Sequence, residues 1–460
     1  MQQSTPETMV DEAQQAFEPH KLVPALRNAL EHPETADVRA LCEDLKAPDL
    51  ADVIELLSPS ERVAVITALG EHFDPEVLSE VDASVRDQLV EDLPNEALAR
   101  VVTQLDTDDA AYVLDGLEAD DQQDVLAHMP SGDRAALEKN LEYPEETAGR
   151  LMQTDFVAVP QFWTVGQVID HMRETEELPE TFSDIIVVDP AFRVLGAVDL
   201  SRLLRSKRQI NIASLMEEDR HVVLATSDQE EMARQFERYD LKSAAVVDAN
   251  DRLVGVVTVD DVVEVIEEET EEDMLRLSGV GDESLADSVM PTVKSRFLWL
   301  LINLATAVLA SSVIQMFDAS ISQMVALAVL MPIVASMGGN AGTQTMTVAV
   351  RALATRDLGR GNMIRVILRE TSVGLINGLA FGIIMGVVAL LWFGIGKLGL
   401  VIATAMVFNL VAAALAGILV PLTLEHYGYD PAVSSGVFVT TVTDVIGFFA
   451  FLGLATLLLL

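Results

Sequence analysis

The sequence predicts a multidomain membrane protein in which a soluble part precedes a five-helix transmembrane domain. Charge shows the division first. Residues 1–295 hold 23 basic and 66 acidic side chains, whereas residues 296–460 hold 7 basic and 6 acidic ones. Hydropathy shows it again, because five apolar stretches follow residue 296 and each is long enough to cross a bilayer as a helix. At 460 residues the chain has room for about three domains.

The acidic composition narrows the possible partners. A net charge of −42 argues against a nucleic-acid partner, which needs a basic surface. Binding of divalent cations would explain the acidity, and so would a halophilic source. The excess of arginine over lysine, 23 against 7, suits the halophilic source. The single cysteine, Cys42, excludes an intramolecular disulfide and a Cys-rich metal site. No signal-peptide pattern begins the chain, so we expect the soluble part to be cytoplasmic.

Residues 20–146 form the first predicted domain, an all-α helical repeat. Apolar residues recur at helical spacing, and the pattern around Val53 returns 48 residues later around Val101. Ser58 and Glu61 have the spacing of a capping box, with proline at the first helical position, so a helix should begin there. The segment reads as a stack of helical hairpins.

Residues 147–210 and 211–260 read as two copies of one α/β module. In each, a β-branched strand, a short turn, a second strand and a helix follow one another, and the copies lie about 59 residues apart. They resemble tandem cystathionine-β-synthase (CBS) domains. Thr258 and Asp261 stand in a short motif similar to one that contacts a nucleotide ribose in some CBS domains. The aromatic and arginine groups that would hold adenine are not evident, which argues against ATP as a regulator.

Residues 261–295 follow as an acidic connecting segment. Nine acids lie within residues 260–273, and no lysine or arginine occurs between Arg252 and Arg276. Like charges three or four positions apart repel on a helix, so they need counterions, and oxygen-binding divalent cations suit them. The alternative is a solvated acidic linker helix.

Residues 296–460 form the predicted transmembrane domain, with spans near 297–317, 322–350, 371–395, 398–424 and 433–460. The arginine-rich loop 351–370 should be cytoplasmic, which puts the N-terminus inside and the C-terminus outside. Pro332 and the glycine-rich polar residues 338–345 predict a break in the second span, tolerated where it lines a wet cavity. A simple kink with small-residue packing is the alternative.

Asp444 is the one charged residue of the fifth span. A carboxylate in mid-bilayer costs roughly 2.5–3.5 kcal/mol on insertion scales, so intramembrane acids are usually functional. Gly436, Thr440, Asp444 and Gly447 share one helical face, which favours a pore lining on a cation path. The alternative is a helix-packing face with a protonated or hydrogen-bonded carboxyl.

These features, in this order, resemble the MgtE family of magnesium channels over almost the whole chain. The residues that carry the resemblance are Pro332 with the Gly-Gly-Asn-Ala-Gly stretch 338–342, the loop 351–357, the segments 429–432 and 443–444, and the join 145–152. The resemblance implies a homodimer of the cell membrane, with the fifth helices lining a pore on the two-fold axis. It also implies closure by cytoplasmic Mg²⁺ bound to the soluble and connecting regions.

The resemblance also assigns roles to residues. Asp444 matches the acid that binds hydrated Mg²⁺ in the pore, with Asn340 a further lining residue, and Asp430 matches an acid near the cytoplasmic mouth. The positions that match regulatory acids of the connecting helix are Asp261, Glu264, Glu269, Glu272 and Asp273. Their partners in the helical domain are expected among Asp106, Asp108 and Asp109.

Two other classes stay open from the residues alone. A secondary transporter of cobalt, zinc or manganese could use the same acid, although the spans offer no His or Cys as ligand. An intramembrane enzyme is the weaker alternative, because the chain has no HExxH motif and no His inside a span. We therefore expect transport of Mg²⁺ and no enzymatic activity.

Overall fold

The N-terminal part of the chain folds as a stack of short helices. The computed structural model describes residues 17–32, 37–175, 178–179, 181–217, 221–280, 289–356, 358–359, 361–432 and 435–459. The first helices are α1 (Pro19–Glu31), α2 (Val38–Cys42), α3 (Ala47–Glu55), α4 (Pro59–Leu69), α5 (Val77–Glu80), α6 (Ala83–Asp92), α7 (Asn95–Val102), α8 (Thr107–Asp115), α9 (Ala119–His128) and α10 (Ser131–Leu141).

The predicted repeat is present in these helices. α3 and α4 return as α7 and α8, and each second copy begins 48 residues after the first. The capping box is also confirmed, because the Glu61 carboxylate accepts a hydrogen bond from the Ser58 N–H at 2.8 Å. Apolar side chains from the whole stack, among them Leu26, Ile54 and Leu114, bury themselves in one core.

The duplicated α/β modules follow. Their elements are β1 (Ala158–Pro160), α11 (Val165–Glu174), β2 (Asp184–Val188), β3 (Val194–Asp199), α12 (Leu200–Leu204), β4 (Val222–Leu224), α13 (Gln229–Tyr239), β5 (Ser243–Val247) and β6 (Leu253–Thr258). In the first copy β2 lies between a parallel β1 and an antiparallel β3; in the second, β5 lies in the same way between β4 and β6. The 59-residue offset is therefore confirmed for β2 and β5 and for β3 and β6, whereas β1 and β4 begin 64 residues apart.

The two modules share an apolar face. Ile186 and Val194 of the first copy pack with Val247 and Leu253 of the second. The Asp184 carboxylate also accepts a hydrogen bond from the Ser243 hydroxyl at 2.7 Å. The copies are thus joined as a pair rather than strung along the chain.

The acidic helix α14 (Val259–Leu277) follows β6 directly. It crosses the predicted boundary at residue 260, and its first turns belong to the second module: Val262 and Val265 lie in the same core as Met152 and Phe236. The chain divides into two units after Glu269, residues 1–269 and 270–460, and each is described by itself below.

Within the described residues of the second unit, five helices are long and apolar enough to cross a membrane by length and composition. They belong to α15 (Val289–Gln315), α17 (Ala326–Ala354), α18 (Met363–Phe393), α19 (Gly396–His426) and α20 (Ser435–Leu459), and the short α16 (Asp318–Gln323) lies between the first two. The fold class predicted from the sequence is confirmed, and the chain is a multi-pass membrane protein.

The second span is not broken, and here the sequence prediction was wrong. α17 is continuous through Pro332 and residues 338–345. Pro332 lies in the second turn of the helix, where its missing N–H deprives only the carbonyl of Ala328 of its usual donor. The glycines serve close packing instead: a Cβ at Gly342 would lie 2.6 Å from Val439 Cγ1 of α20.

Glycines also join α18 to α19. Gly374, Gly378, Gly382 and Gly386 recur every fourth residue along α18, and a Cβ at any of them would lie 2.7–3.0 Å from backbone atoms of α19. Such spacing lets two helix backbones touch. The two helices are connected by two residues only, so they form a tight antiparallel hairpin.

Candidate ion path and cation cluster

Asp444 lies near the middle of α20 and is partly exposed. Its carboxylate has no hydrogen-bond or ion-pair partner among the residues that the structure describes. No basic side chain among the described residues neutralises it, so an external cation can supply the counter-charge.

The threonine hydroxyls around Asp444 donate their hydrogen bonds to backbone carbonyls of α20 itself. Thr440 Oγ1 donates to Gly436 O at 2.9 Å, Thr441 Oγ1 to Val437 O at 2.6 Å, and Thr443 Oγ1 to Thr440 O at 2.9 Å. The partly exposed oxygens of Thr440 and Thr441 are left as acceptors, whereas Thr443 is buried. Acceptors beside a carboxylate suit a cation that keeps its water shell, because those waters donate hydrogen bonds.

The two sides of α20 differ in burial. Val439, Thr443 and Gly447 face inward, the first two with no exposed surface, whereas Thr440 and Asp444 stay partly exposed. Gly447 therefore lies on a packing seam within the chain, and its role as a pore-lining residue stays a prediction.

The other predicted lining positions lie apart from the seam. Gly436 is partly exposed, and a Cβ there would lie 3.5 Å from Leu277 O. Asn340 is exposed on α17, one residue after Gly339, whose own Cβ position lies 3.9 Å from Thr440 Cγ2. The polar stretch of α17 thus approaches the Thr440 side of α20.

Asp430 is held by protein groups rather than left open. Arg276 Nη1 donates to Asp430 Oδ2 at 2.8 Å, and the Ala432 N–H donates to Asp430 Oδ1 at 2.8 Å. Arg276 also pairs with Glu272, one helical turn before it. The sequence reasoning missed Arg276, although it is the first basic residue after the acidic run.

A second group of acids gathers in residues 1–269. Asp108 and Asp109, in the first turn of α8, interact electrostatically with Asp261 of α14, and Glu264 of α14 interacts with Asp109. Asp106 is the N-cap of α8 and adds to the same field. We call these five residues the acidic cluster. The structure thus brings the expected partners together.

Asp108, Asp109, Asp261 and Glu264 of the acidic cluster form no ion pair with a basic side chain in the described part of the chain. Desolvation, together with the Asp261 and Asp106 charges, raises the pKa of Asp109 to about 7. Desolvation and the Asp109 and Asp261 charges raise the pKa of Glu264 to about 7. Burial and its acidic neighbours also raise the pKa of Asp108. Asp108 Oδ1 is buried without a hydrogen-bond partner in the described chain, which leaves room for a ligand with protons to donate.

Asp261 has a second task in this cluster. Its Oδ2 accepts hydrogen bonds from the Thr258 hydroxyl at 2.6 Å and the Thr258 N–H at 3.2 Å, and so fixes the start of α14. Desolvation outweighs these bonds, and the pKa of Asp261 is raised to about 6. The two residues of the predicted ribose motif are thus bonded to each other.

The remaining predicted ligands lie elsewhere on α14. Glu269 accepts a hydrogen bond from Gln229 at 2.8 Å, Glu272 is engaged by Arg276, and Asp273 follows Glu272 on the helix. Within the described ranges no three His, Cys, Asp or Glu side chains are close enough to ligate one metal ion directly. The acids present can instead contact a hydrated ion through its waters, a mode that suits Mg²⁺ because it sheds water reluctantly.

Sequence models of three families match the chain. The divalent cation transporter model matches residues 331–454, the MgtE intracellular N domain matches 45–146, and the CBS domain matches 148–208 and 212–268.

Curated relatives match across most of the chain. The magnesium transporter MgtE of Thermus thermophilus is 34% identical over 445 residues, 95% of this chain and 99% of the relative. That of Bacillus subtilis is 28% identical and covers 91% of this chain and 93% of its own. A solved cytosolic domain of the Mg²⁺ channel MgtE in complex with ATP is 32% identical over 53% of this chain and 99% of that chain, with a TM-score of 0.49.

Proposed function

We propose that this chain, which belongs to the MgtE family of magnesium transporters, moves Mg²⁺ along a path that passes the Asp444 carboxylate. The observation that supports this path is an acid in a membrane span that has no partner among the described residues and is flanked by threonine oxygens free to accept. A hydrated Mg²⁺ ion would supply both the positive charge and the donor protons.

The path is best completed by a second copy of the chain. One carboxylate on one face of α20 offers only half a ring of ligands, whereas two copies on a two-fold axis would place two carboxylates around a hydrated ion. Such a site holds the ion through its waters, weakly enough to let it leave, as conduction requires. We therefore include a homodimer in the proposal, with the N-terminus in the cytoplasm as the arginine-rich loop 351–370 favours.

Regulation by cytoplasmic Mg²⁺ is assigned to the acidic cluster. Asp108, Asp109, Asp261 and Glu264 come from two elements, α8 and α14, that repel each other when all four are ionised. A divalent ion held by these residues removes that repulsion and favours the arrangement in which the two helices are packed together. In this proposal Asp261 serves the cation cluster rather than a nucleotide ribose.

The experiment is ion uptake into proteoliposomes by the purified wild type and Asp444→Asn. We expect Mg²⁺ uptake to fall at least tenfold in the variant, because the amide keeps the size but loses the charge. Asp318→Asn is the matched control, an exposed acid at the start of α16 whose neutralisation should leave uptake unchanged. Wild-type uptake by a correctly folded Asp444→Asn protein would refute the path.

The same vesicles decide between Mg²⁺ and the softer divalent ions. Cobalt and zinc should be carried more slowly, because the described spans present oxygen ligands. Oxygen ligands also suit manganese, so its uptake should be closer to that of Mg²⁺. Running the assay with and without a proton gradient separates a channel from a coupled transporter. Faster zinc than magnesium uptake would move the proposal to the secondary-transporter class.

A further inference from the structure

A buried asparagine lies where α17, α19 and α20 meet. Asn409 of α19 has no exposed surface, and its Nδ2 donates to Val334 O of α17 at 2.7 Å. The acceptor is a carbonyl, so the nitrogen must be the atom that faces it. The other end of the carboxamide, Oδ1, is buried with no hydrogen-bond partner in the described chain.

Burying the Asn409 carboxamide oxygen without a donor lowers the stability of the folded protein. An amide oxygen without a donor loses its hydration and gains nothing in return, and a membrane span has no bulk water nearby. Leucine has a similar volume and would fill the space without that loss. Packing alone therefore does not explain an asparagine at position 409.

Both neighbouring helices clear space for the carboxamide. A Cβ at Gly338 of α17 would lie 2.2 Å from Asn409 Nδ2, and a Cβ at Gly447 of α20 would lie 2.9 Å from the same atom. Both separations are far too short for non-bonded atoms. The side chain is thus seated between two glycines, one on each helix.

The contact between Gly447 and Asn409 lies on the inward-facing side of α20, and packing on this side sets the rotation of α20 about its axis. Val439, Thr443 and Gly447 form the inward stripe of α20 at four-residue spacing, and Gly447 follows Asp444 by three residues. Successive residues of a helix point about 100° apart, so the rotation that seats Gly447 also fixes the direction of Asp444.

We propose that Asn409 is a positioning residue for ion transport: it fixes α20 against α17 and so holds the Asp444 carboxylate on the ion path without contacting the ion. The hydrogen bond to Val334 fixes the orientation of the carboxamide. The fixed carboxamide in turn determines where Gly447 of α20 can pack against it. This inference rests on the proposed role of Asp444 as the acid that meets Mg²⁺.

The first test is Asn409→Leu in the full-length protein, reconstituted in liposomes. We expect the half-saturating Mg²⁺ concentration for uptake to rise about tenfold and the preference for Mg²⁺ over Ca²⁺ to fall, while the thermal midpoint stays within a few degrees of the wild type. Asn377→Leu, the same change at an exposed asparagine of α18, should alter neither. Wild-type half-saturation and selectivity in Asn409→Leu would overturn the inference.

The second test does not depend on the stability of that variant. Gly447→Ala places a methyl group against the carboxamide and should raise the half-saturating concentration in the same way. Combining it with Asn409→Ala reopens the space, so the double variant should recover part of the Mg²⁺ affinity lost by Gly447→Ala. Unaltered transport by Gly447→Ala would show that the seat does not control Asp444.

The two assays also separate this inference from the proposed function. If Asp444→Asn abolishes uptake while Asn409→Leu is normal, the path stands and the positioning role fails. If Asp444→Asn transports normally, the path itself fails, whatever the Asn409 variants do.

Discussion

Arg276 is a single side chain that neutralises two acids of the membrane unit. It pairs with Glu272 on its own helix and with Asp430 just before α20, and Leu277, the next residue, packs near Ala432 and Val439. The end of α14 therefore contacts the segment before α20, and α20 itself, through an ion pair and through apolar packing. Asp430, expected to meet cations, already has one from the chain.

Arg276→Gln should weaken this attachment. It leaves Glu272 and Asp430 without their shared counter-ion, so closure should require more Mg²⁺. Because the three side chains are 21–35% exposed, we expect a modest effect. A pair of this kind contributes about 0.5–1 kcal/mol, or a twofold to fivefold rise in the Mg²⁺ concentration that half-inhibits uptake. Patch-clamp or flux titration with cytoplasmic-side Mg²⁺ measures it.

The control is a double-mutant cycle. Asp430→Asn combined with Arg276→Gln removes both charges, and its effect should be smaller than the sum of the two single changes. Arg276→Lys keeps the charge and should stay near the wild type. Strict additivity would mean that the ion pair contributes nothing to closure.

At the scale of elements, we expect the acids of α8 and α14 to make both folding stability and Mg²⁺ binding depend on pH. In the folded protein the pKa values of Asp109 and Glu264 are about 7 and that of Asp261 is about 6, against about 4 in an unfolded chain. The folded state therefore binds more protons between pH 4 and 7, and its stability falls as the pH rises through that window. Mg²⁺ relieves the same repulsion, so protons and Mg²⁺ compete for the cluster.

We expect Mg²⁺ binding to release protons near pH 6.5 and almost none at pH 8.5. The apparent affinity should be about tenfold weaker at pH 6 than at pH 8, since the carboxylates must lose protons first. Calorimetry of the full-length protein in buffers of different ionisation enthalpy counts the protons.

Asp109→Asn with Glu264→Gln should reduce the proton release by more than half, since Asp261 and Asp108 remain, whereas Glu267→Gln, an exposed acid of the same helix, should preserve it. Equal proton release by the double variant would mean that Asp109 and Glu264 are not the groups that compete with Mg²⁺.

Sequence patterns captured the elements better than their contacts. The 48-residue and 59-residue repeats and the five spans follow from periodicity and hydropathy, which are local properties. The pairing of Asn409 with Val334 joins residues 75 apart, and that of Arg276 with Asp430 joins residues 154 apart. Neither leaves a local pattern.

The glycines of α17 show a second limit of sequence reasoning. The glycine-rich residues 338–345 are compatible both with an irregular backbone that lines a water-filled cavity and with a regular helix packed closely on its neighbours. Only the positions of Asn409 and Val439 decide for packing. Asp444, by contrast, stood out because a lone acid in an apolar span is costly wherever its partners lie.

At the scale of the whole molecule, residues 1–295 hold 66 acidic and 23 basic side chains, and we expect bound cations to stabilise this part of the chain. Cys42 offers a native reporter, because this single cysteine is 6% exposed in the helical core and burial raises the pKa of its thiol to about 11. It can react with a thiol reagent only when that core opens.

Millimolar Mg²⁺ should slow the labelling of Cys42 in the full-length protein several-fold more than sodium chloride of equal ionic strength. Salt screens exposed charges, whereas a bound ion stabilises the folded state by mass action. In Asp109→Asn/Glu264→Gln the two salts should act alike. Equal protection in the wild type would mean that the acids serve only solubility.

The glycine-lined contact between α18 and α19 has a consequence for biogenesis. The two helices leave the ribosome one after the other, separated by Gly394 and Ile395 alone. Their backbones fit in one register, since a slip by one residue would put a side chain into every gap that a glycine now leaves. The α18–α19 hairpin can therefore assemble as it enters the bilayer. It then provides a preformed surface for the packing of α20, which is synthesised last among the described helices.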